Sequence, residues 1–197
     1  EALRSTPRVM PYRVYINPEG AWLNGKPILS NNEQEGKSLL TNLYKQMIGD
    51  YPKYYKMDGL CRLGFVASEL LLQAEKAVSE GDEKLDSKRA IMLFNHTSSI
   101  ASDKRYLASI ADKDNYFPSP SIFVYTLPNI VTGEIAIRNG YHGETSFYIL
   151  TQRDEQQMQD IIETAFIDKQ TKSLLTGWLD YKDSEHFEAD LYIVSSN

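Results

Sequence analysis

The sequence predicts an α/β fold: a mostly parallel mixed sheet of about five or six strands with helices on both faces. Three observations predict it. Short runs of β-branched and aromatic residues alternate with longer stretches whose apolar residues recur at three- and four-residue steps, the succession expected of strands and helices in layers. Ala90-Ile91-Met92-Leu93-Phe94 is apolar without a break, so both faces of that strand must be covered. The last two strands, Ser173 to Leu179 and Ala189 to Val194, are joined by a loop at Asp183-Ser184-Glu185 and are close enough to pair antiparallel.

Each element has its own signal. From Pro11 to Asn17, Tyr12, Val14 and Ile16 alternate with Arg13 and Tyr15, the period of a half-buried strand, and Pro18-Glu19-Gly20 ends it. Asn24-Gly25, beside Lys26-Pro27, reads as a turn. Leu39, Leu40, Leu43, Met47 and Ile48 place a short amphipathic helix before Gly49. The clearest helix runs from Asp58, a natural N-cap, to about Ser79, with Leu60, Leu63, Gly64, Ala67, Leu70, Leu71, Ala74 and Val78 on one stripe. Gly81-Asp82-Glu83-Lys84 is a charged turn ahead of the Ala90 strand.

A polar loop over Asn95 to Ser99 leads to a helix near Ser102 to Asp112 and a Pro118/Pro120 loop, and Ile122 to Tyr125 reads as a strand that Pro128 terminates. Asn129 is placed to cap a helix to about Arg138, closed by Asn139-Gly140. Thr145 to Leu150 is a strand rich in aromatic and β-branched residues. A helix from Gln152 to about Asp168 buries Met158, Ile161, Ile162, Ala165 and Phe166.

Composition narrows the function. A chain of 197 residues, 42% hydrophobic and 24% charged, fits one domain with a real core over 1–197. Its formal charge of −6 has the wrong sign for general attraction to nucleic acid or anionic lipid. The longest apolar runs fall far short of the ~20 residues of a membrane helix. The single cysteine, Cys61, excludes an internal disulfide and a multi-thiolate zinc site, and His96, His142 and His186 show no ligand spacing, so no metal or cofactor is expected. The reducing cytoplasm is the expected compartment, although Glu1 in place of Met leaves room for a removed leader.

Phe117-Pro118-Ser119-Pro120-Ser121, Leu127-Pro128-Asn129, Gly133 and Gly140-Tyr141-His142-Gly143 follow one another in an order that resembles the N-terminal half of β-ketoacyl synthases, members of the thiolase-like fold. Lys56-Met57-Asp58 and Thr176-Gly177-Trp178 sit where the family has similar short motifs, so the likeness extends from Tyr12 to the end. The resemblance implies a three-layer thiolase-like half, with Pro128, Asn129, Gly133, Gly140 and Gly143 as family-motif residues.

Without a gap from Gly140, the position of the family's catalytic cysteine, at the N-terminus of the helix after the Thr145 strand, is occupied by Gln152. Acyl transfer from a carrier thioester needs a thiolate there, and a carboxamide offers no nucleophile. Glutamine also opens helices in proteins of any kind. The family's two histidines and lysine come from a second half that these 197 residues do not contain. Glutamine at this position is similar to the chain-length-factor partners of polyketide synthases, which do not condense, and to decarboxylating loading synthases. Cys61 lies beside an apolar helical stripe and reads as a core thiol.

The resemblance therefore implies a non-condensing, pseudoenzyme-like accessory or partner protein in fatty acid or polyketide type biosynthesis. The alternative is an acyl-carrier thioester decarboxylase or acyltransferase whose composite site a partner chain completes. The implied partners are a second copy of this chain or a full-length ketosynthase, with acyl carrier protein as a further one. Family members pair through the strand equivalent to Thr145 to Leu150, which makes Thr145, Phe147, Tyr148, Ile149 and Leu150 the interface candidates. The charged opening Gln152-Arg153-Asp154-Glu155 implies a helix with one face open to water or a polar partner.

Overall fold

A computed structural model describes residues 7–30, 38–78, 87–114 and 116–196. The charged turn at 81–84 lies outside them. The strands are β1 (Arg8–Asn17), β2 (Gly20–Leu23), β3 (Lys26–Ser30), β4 (Ala90–Asn95), β5 (Thr145–Ile149), β6 (Ser173–Asp183) and β7 (His186–Ser195). The helices are α1 (Leu39–Met47), α2 (Gly59–Val78), α3 (Ile100–Ser109), α4 (Pro120–Phe123), α5 (Ile130–Asn139) and α6 (Glu155–Thr164).

The strands form one sheet of seven in the order β3-β2-β1-β7-β6-β4-β5. β4 pairs parallel with β5 and β6, whereas β1 with β2, β1 with β7, β2 with β3 and β6 with β7 are antiparallel. The sheet is therefore mixed as expected but not mostly parallel. The reason is local: Pro18-Glu19 turns the chain straight back into β2, and Asn24 and Gly25, at φ 51° and 78°, form a two-residue hairpin into β3.

Two apolar clusters lie on the two faces. On one, α1, α2 and α5 pack over Tyr12, Val14, Ile16, Ile91, Leu93, Leu175, Leu191 and Ile193. On the other, Met158 and Ile162 of α6 pack over Ala90, Met92, Phe94, Leu174, Trp178 and Val194, with Ile161, Ala165 and Phe166 partly buried against them. β4 alternates between the clusters residue by residue, which is why its sequence is apolar throughout. Arg89, buried at the start of β4, fixes the other end of the layers: it forms a two-pronged ion pair with Glu75 of α2 (2.6 and 2.7 Å) and donates to Ser173 Oγ of β6 (2.8 Å).

Three local expectations are corrected. Ile122 to Tyr125 is not a strand: Pro120 opens the short α4 and Val124–Thr126 continues as a 3-10 turn, with Phe123 against Tyr106 of α3. Prolines at 118, 120 and 128 remove ladder donors, and a short apolar run does not by itself distinguish strand from helix. Asn129 stands at the N-cap position of α5 but makes no capping bond through its side chain; its backbone is already helical. α6 starts at Glu155, not Gln152, because Asp154 caps it by accepting from the Gln157 N–H at 3.0 Å.

The motif glycines separate on physical grounds. Gly140 closes α5 in the left-handed region at φ 66°. A Cβ on Gly143 would meet the Lys88 and Arg89 carbonyl oxygens at 2.4 Å, whereas one on Gly133 would meet nothing within 4 Å. Gly143→Ala should therefore cost roughly 2 kcal/mol or more in urea unfolding, and Gly133→Ala, inside a helix, should be neutral or stabilise by up to about 1 kcal/mol. Equal effects would contradict this assignment.

Candidate functional site

β4, β5 and β6 are parallel, so their carboxyl ends meet at one end of the sheet, where open α/β sheets gather polar loops. β4 ends in Asn95, fully buried, whose side chain donates to the Ser98 carbonyl (2.9 Å) and accepts from the Ser98 N–H (3.1 Å). This holds Ser98 at φ 52°. From β6, Asp180 Oδ1 accepts from the His96 N–H (3.1 Å), the Thr97 N–H (2.8 Å) and Thr97 Oγ1 (2.8 Å). On the β5 side the Leu150 N–H donates to the Asn95 carbonyl (2.7 Å), and His96 Nδ1 lies 3.0 Å from the Leu150 carbonyl. A carbonyl oxygen only accepts, so Nδ1 carries the hydrogen, and in the neutral tautomer this selects, Nε2 of the exposed His96 is the acceptor.

Gln152 follows two residues after Leu150, exposed, in the bend between β5 and α6. It lies two residues before the N-cap Asp154, not on the helix terminus itself. Its neighbour Arg153 fixes the bend: it donates to Asp190 (2.6 Å) and Glu188 (2.8 Å) of β7 and to Glu155 (2.7 Å) of α6. Arg13 of β1 grips the same Asp190 through two bonds of 2.6 and 2.7 Å. Burial pushes the Asp190 carboxyl up, but the two guanidinium groups outweigh it and hold Asp190 below its ordinary value.

The other candidates separate in space. Thr145, Phe147, Tyr148 and Ile149 lie along β5, with Leu150 buried just beyond its end. Phe147 packs toward the α2 face, Tyr148 stacks on Phe94 toward the α6 face (5.4 Å between centroids), and Ile149 is 52% exposed. Pro128, Asn129 and Gly133 belong to the start and middle of α5, while Gly140 and Gly143 lie at the opposite end of the sheet from Gln152. Cys61 is buried in the first turn of α2, where burial and then Asp58 push its thiol well up, so it is not a nucleophile in waiting. The three histidines do not converge: His142 precedes the amino end of β5, and His186 pairs with Asp183 at the β6–β7 turn. Among the described residues no three His, Cys, Asp or Glu side chains form a metal site, and no helix is long and apolar enough to cross a membrane.

Sequence reasoning named His96 and Arg153 without giving either a role at this end of the sheet, and did not single out Asp180. Their long-range partners lie 35 to 84 residues away, and no local spacing announces such pairs.

The fold has solved counterparts. A ketosynthase in complex with its chain length factor from Xenorhabdus doucetiae matches with TM-score 0.62 and 12% identity over 98% of this chain and 79% of that one. The ishigamide ketosynthase/chain length factor matches with TM-score 0.70 and 16% identity over 97% of this chain and 62% of its counterpart. This chain has the ketosynthase and chain length factor fold. A third match, to a type II polyketide synthase acyl carrier protein in complex with its ketosynthase bound to the hexaketide, has TM-score 0.62 and 10% identity over 96% of this chain and 58% of that one. The chain thus spans between 58 and 79% of the length of these three chains. No protein-family model and no curated protein matches its sequence.

The Asp190 clamp fixes an acid dependence. A carboxyl held below its ordinary value of 3.8 contributes stability above that pH and loses it as the pH falls through the lower folded value. Asp190→Asn should therefore be less stable than the parent at neutral pH, and the gap should narrow below about pH 4 in urea titrations across pH. A gap that stays constant from neutral pH downward would contradict the clamp.

Proposed function

We propose that this chain is a non-condensing, ketosynthase-like partner subunit in polyketide or fatty acid type biosynthesis, one domain over 1–197, working in the cytoplasm. It pairs with a ketosynthase through the free edge of β5. The observation that carries this reading is that edge. Among the described residues β5 bonds to β4 on one side and ends the sheet on the other, and its residues Thr145-Ser146-Phe147-Tyr148-Ile149 carry no charge. Soluble proteins cover or charge such edges, so an uncharged free one fits strand addition by a partner. Three solved counterparts are assemblies of ketosynthases with chain length factors or a carrier protein, which supports a partner of the same kind.

The ladder shows which groups face outward. The Ile91 N–H donates to the Glu144 carbonyl and the Leu150 N–H to the Asn95 carbonyl, so in a parallel pair the N–H groups of Ser146 and Tyr148 also turn toward β4, and those of Thr145, Phe147 and Ile149 turn away. Ile149→Pro removes an outward donor and leaves the internal ladder whole. It should abolish co-purification with a co-expressed type II ketosynthase that binds the parent chain, while leaving the melting temperature nearly unchanged. Tyr148→Pro breaks the ladder and the Phe94 stack and should unfold the sheet edge. Retained binding by a folded Ile149→Pro protein would sink the edge assignment.

Non-condensation rests on Gln152 and on Cys61, the chain's single thiol, being buried. Incubated with acyl- and malonyl-carrier thioesters, the chain alone should gain no acyl mass and yield no ketoacyl product, and Gln152→Cys should supply a thiol without yielding product. A covalent adduct on Cys61 required for turnover would overturn this reading. The exposed His96, held by its Nδ1 contact to the Leu150 carbonyl, favours one second reading, an acyl-carrier thioester decarboxylase or acyltransferase whose site the partner completes. There, product would form only with the partner present and would fall with His96→Gln.

A further inference from the structure

A cavity of about 710 Å3 opens on the α1 and α2 face of the sheet, where the β6–β7 turn meets the first turns of α2 and α3. α6 lies on the other face, so this cavity is separate from the Gln152 bend. One wall is aromatic: the rings of Tyr181 and Phe187 stack with centroids 5.8 Å apart and planes 17° apart. The Tyr181 ring lies directly on Gly59, where any Cβ would fall 2.1 Å from it, so only glycine lets the ring form this wall.

The lining is also cationic. Arg62 of α2 and Arg105 of α3 both line the cavity. Arg62 is aimed by two carbonyls, those of Tyr54 (3.3 Å to Nε) and Tyr55 (2.8 Å to Nη2), and its guanidinium sits 5.3 Å above the Tyr54 ring. Of its five N–H groups, two are used in this way. Arg13, Arg89, Arg138 and Arg153 each pair with at least one carboxylate. Among the described residues Arg62 and Arg105 pair with none, although acidic groups outnumber basic ones in the chain. Two acids also line the cavity. Asp58 is occupied, accepting from the Cys61 N–H (2.9 Å) and from Ser102 Oγ (2.5 Å), and Glu185 lies on the exposed turn.

We infer that this cavity binds a small aromatic carboxylate, its anionic head taken by Arg62 and Arg105 and its ring laid against Tyr181 and Phe187. A guanidinium matches a carboxylate in plane and hydrogen-bond direction, and an aromatic wall prefers a flat ligand. The volume is that of a site for a small organic molecule. The inference stands apart from the proposed partner role, since it requires no ketosynthase and no acyl chemistry.

The probe is 2-naphthoate, titrated calorimetrically into the full chain at low salt, with 2-naphthylmethanol as its uncharged counterpart. Saturable one-to-one binding is expected, weaker by about tenfold for the alcohol and for Arg105→Gln, the loss of one charge-assisted bond. Arg105 is exposed, so that variant should keep the parent melting temperature. Tyr181→Leu should weaken 2-naphthoate while leaving the weak binding of acetate unchanged, which separates the ring from the charge. Absence of saturable binding at millimolar 2-naphthoate, or equal affinity for acid and alcohol, would overturn the inference. So would undiminished binding by Arg105→Gln.

Discussion

Six consecutive buried residues, Ala90 to Asn95, require the sheet to be covered on both sides, and the elements that cover it are those that assemble the candidate site. α2 and α5 approach β4 from one face, while α6 approaches it from the other. β4 leads into α3 and β5 into α6, so both connections leave from the carboxyl ends of these parallel strands, which brings the Asn95 loop, His96 and the Gln152 bend to one end of the sheet. Loop polarity follows from the same burial: a strand buried on both faces ends in backbone groups that need partners, and Asn95 and Asp180 supply them. Asp180 is spent on three donors of one loop, so it acts as an anchor.

That constraint was largely legible in sequence. The unbroken run at Ala90 announces two covered faces, the alternation of Tyr12, Val14 and Ile16 announces β1, and the stripe from Leu60 to Leu72 announces α2. Asn24-Gly25 carried more than a turn: its hairpin geometry adds two strands to the sheet edge and tips the balance toward antiparallel pairing. The Ile122 to Tyr125 run misleads because its β-branched and aromatic residues lie on a half-exposed surface turn between prolines, where none of the described strands lies alongside to pair with. Gln152 was singled out by its distance from Gly140, and the structure places it in the bend between β5 and α6, two residues before the N-cap Asp154. The bonds that orient its surroundings were not legible, because Arg153 to Asp190 and His96 to Leu150 span long stretches of chain.

The arginines divide the molecule into structural and available charge. Arg13 and Arg153 close on Asp190 and bind β1, β7 and the entry to α6 into one unit, while Arg89 does the same at the far end through Glu75. These buried or half-buried pairs fix orientation, and truncating one partner would strand the other charge. Arg62 and Arg105 have no such duty toward a carboxylate among the described residues, and they face open volume beside an aromatic wall. The fold thus offers two separate surfaces, a strand edge suited to another chain and a pocket suited to a small anion.

The central claim is that β5 is a docking edge. Amide hydrogen exchange followed by NMR, on this chain alone and in complex with a type II ketosynthase that co-purifies with it, tests it most directly. The account predicts that the outward N–H groups of Phe147 and Ile149 exchange fast in the free chain and become protected in the complex, while Ser146 and Tyr148 are protected in both. A stable complex in which Phe147 and Ile149 exchange as fast as in the free chain would contradict it.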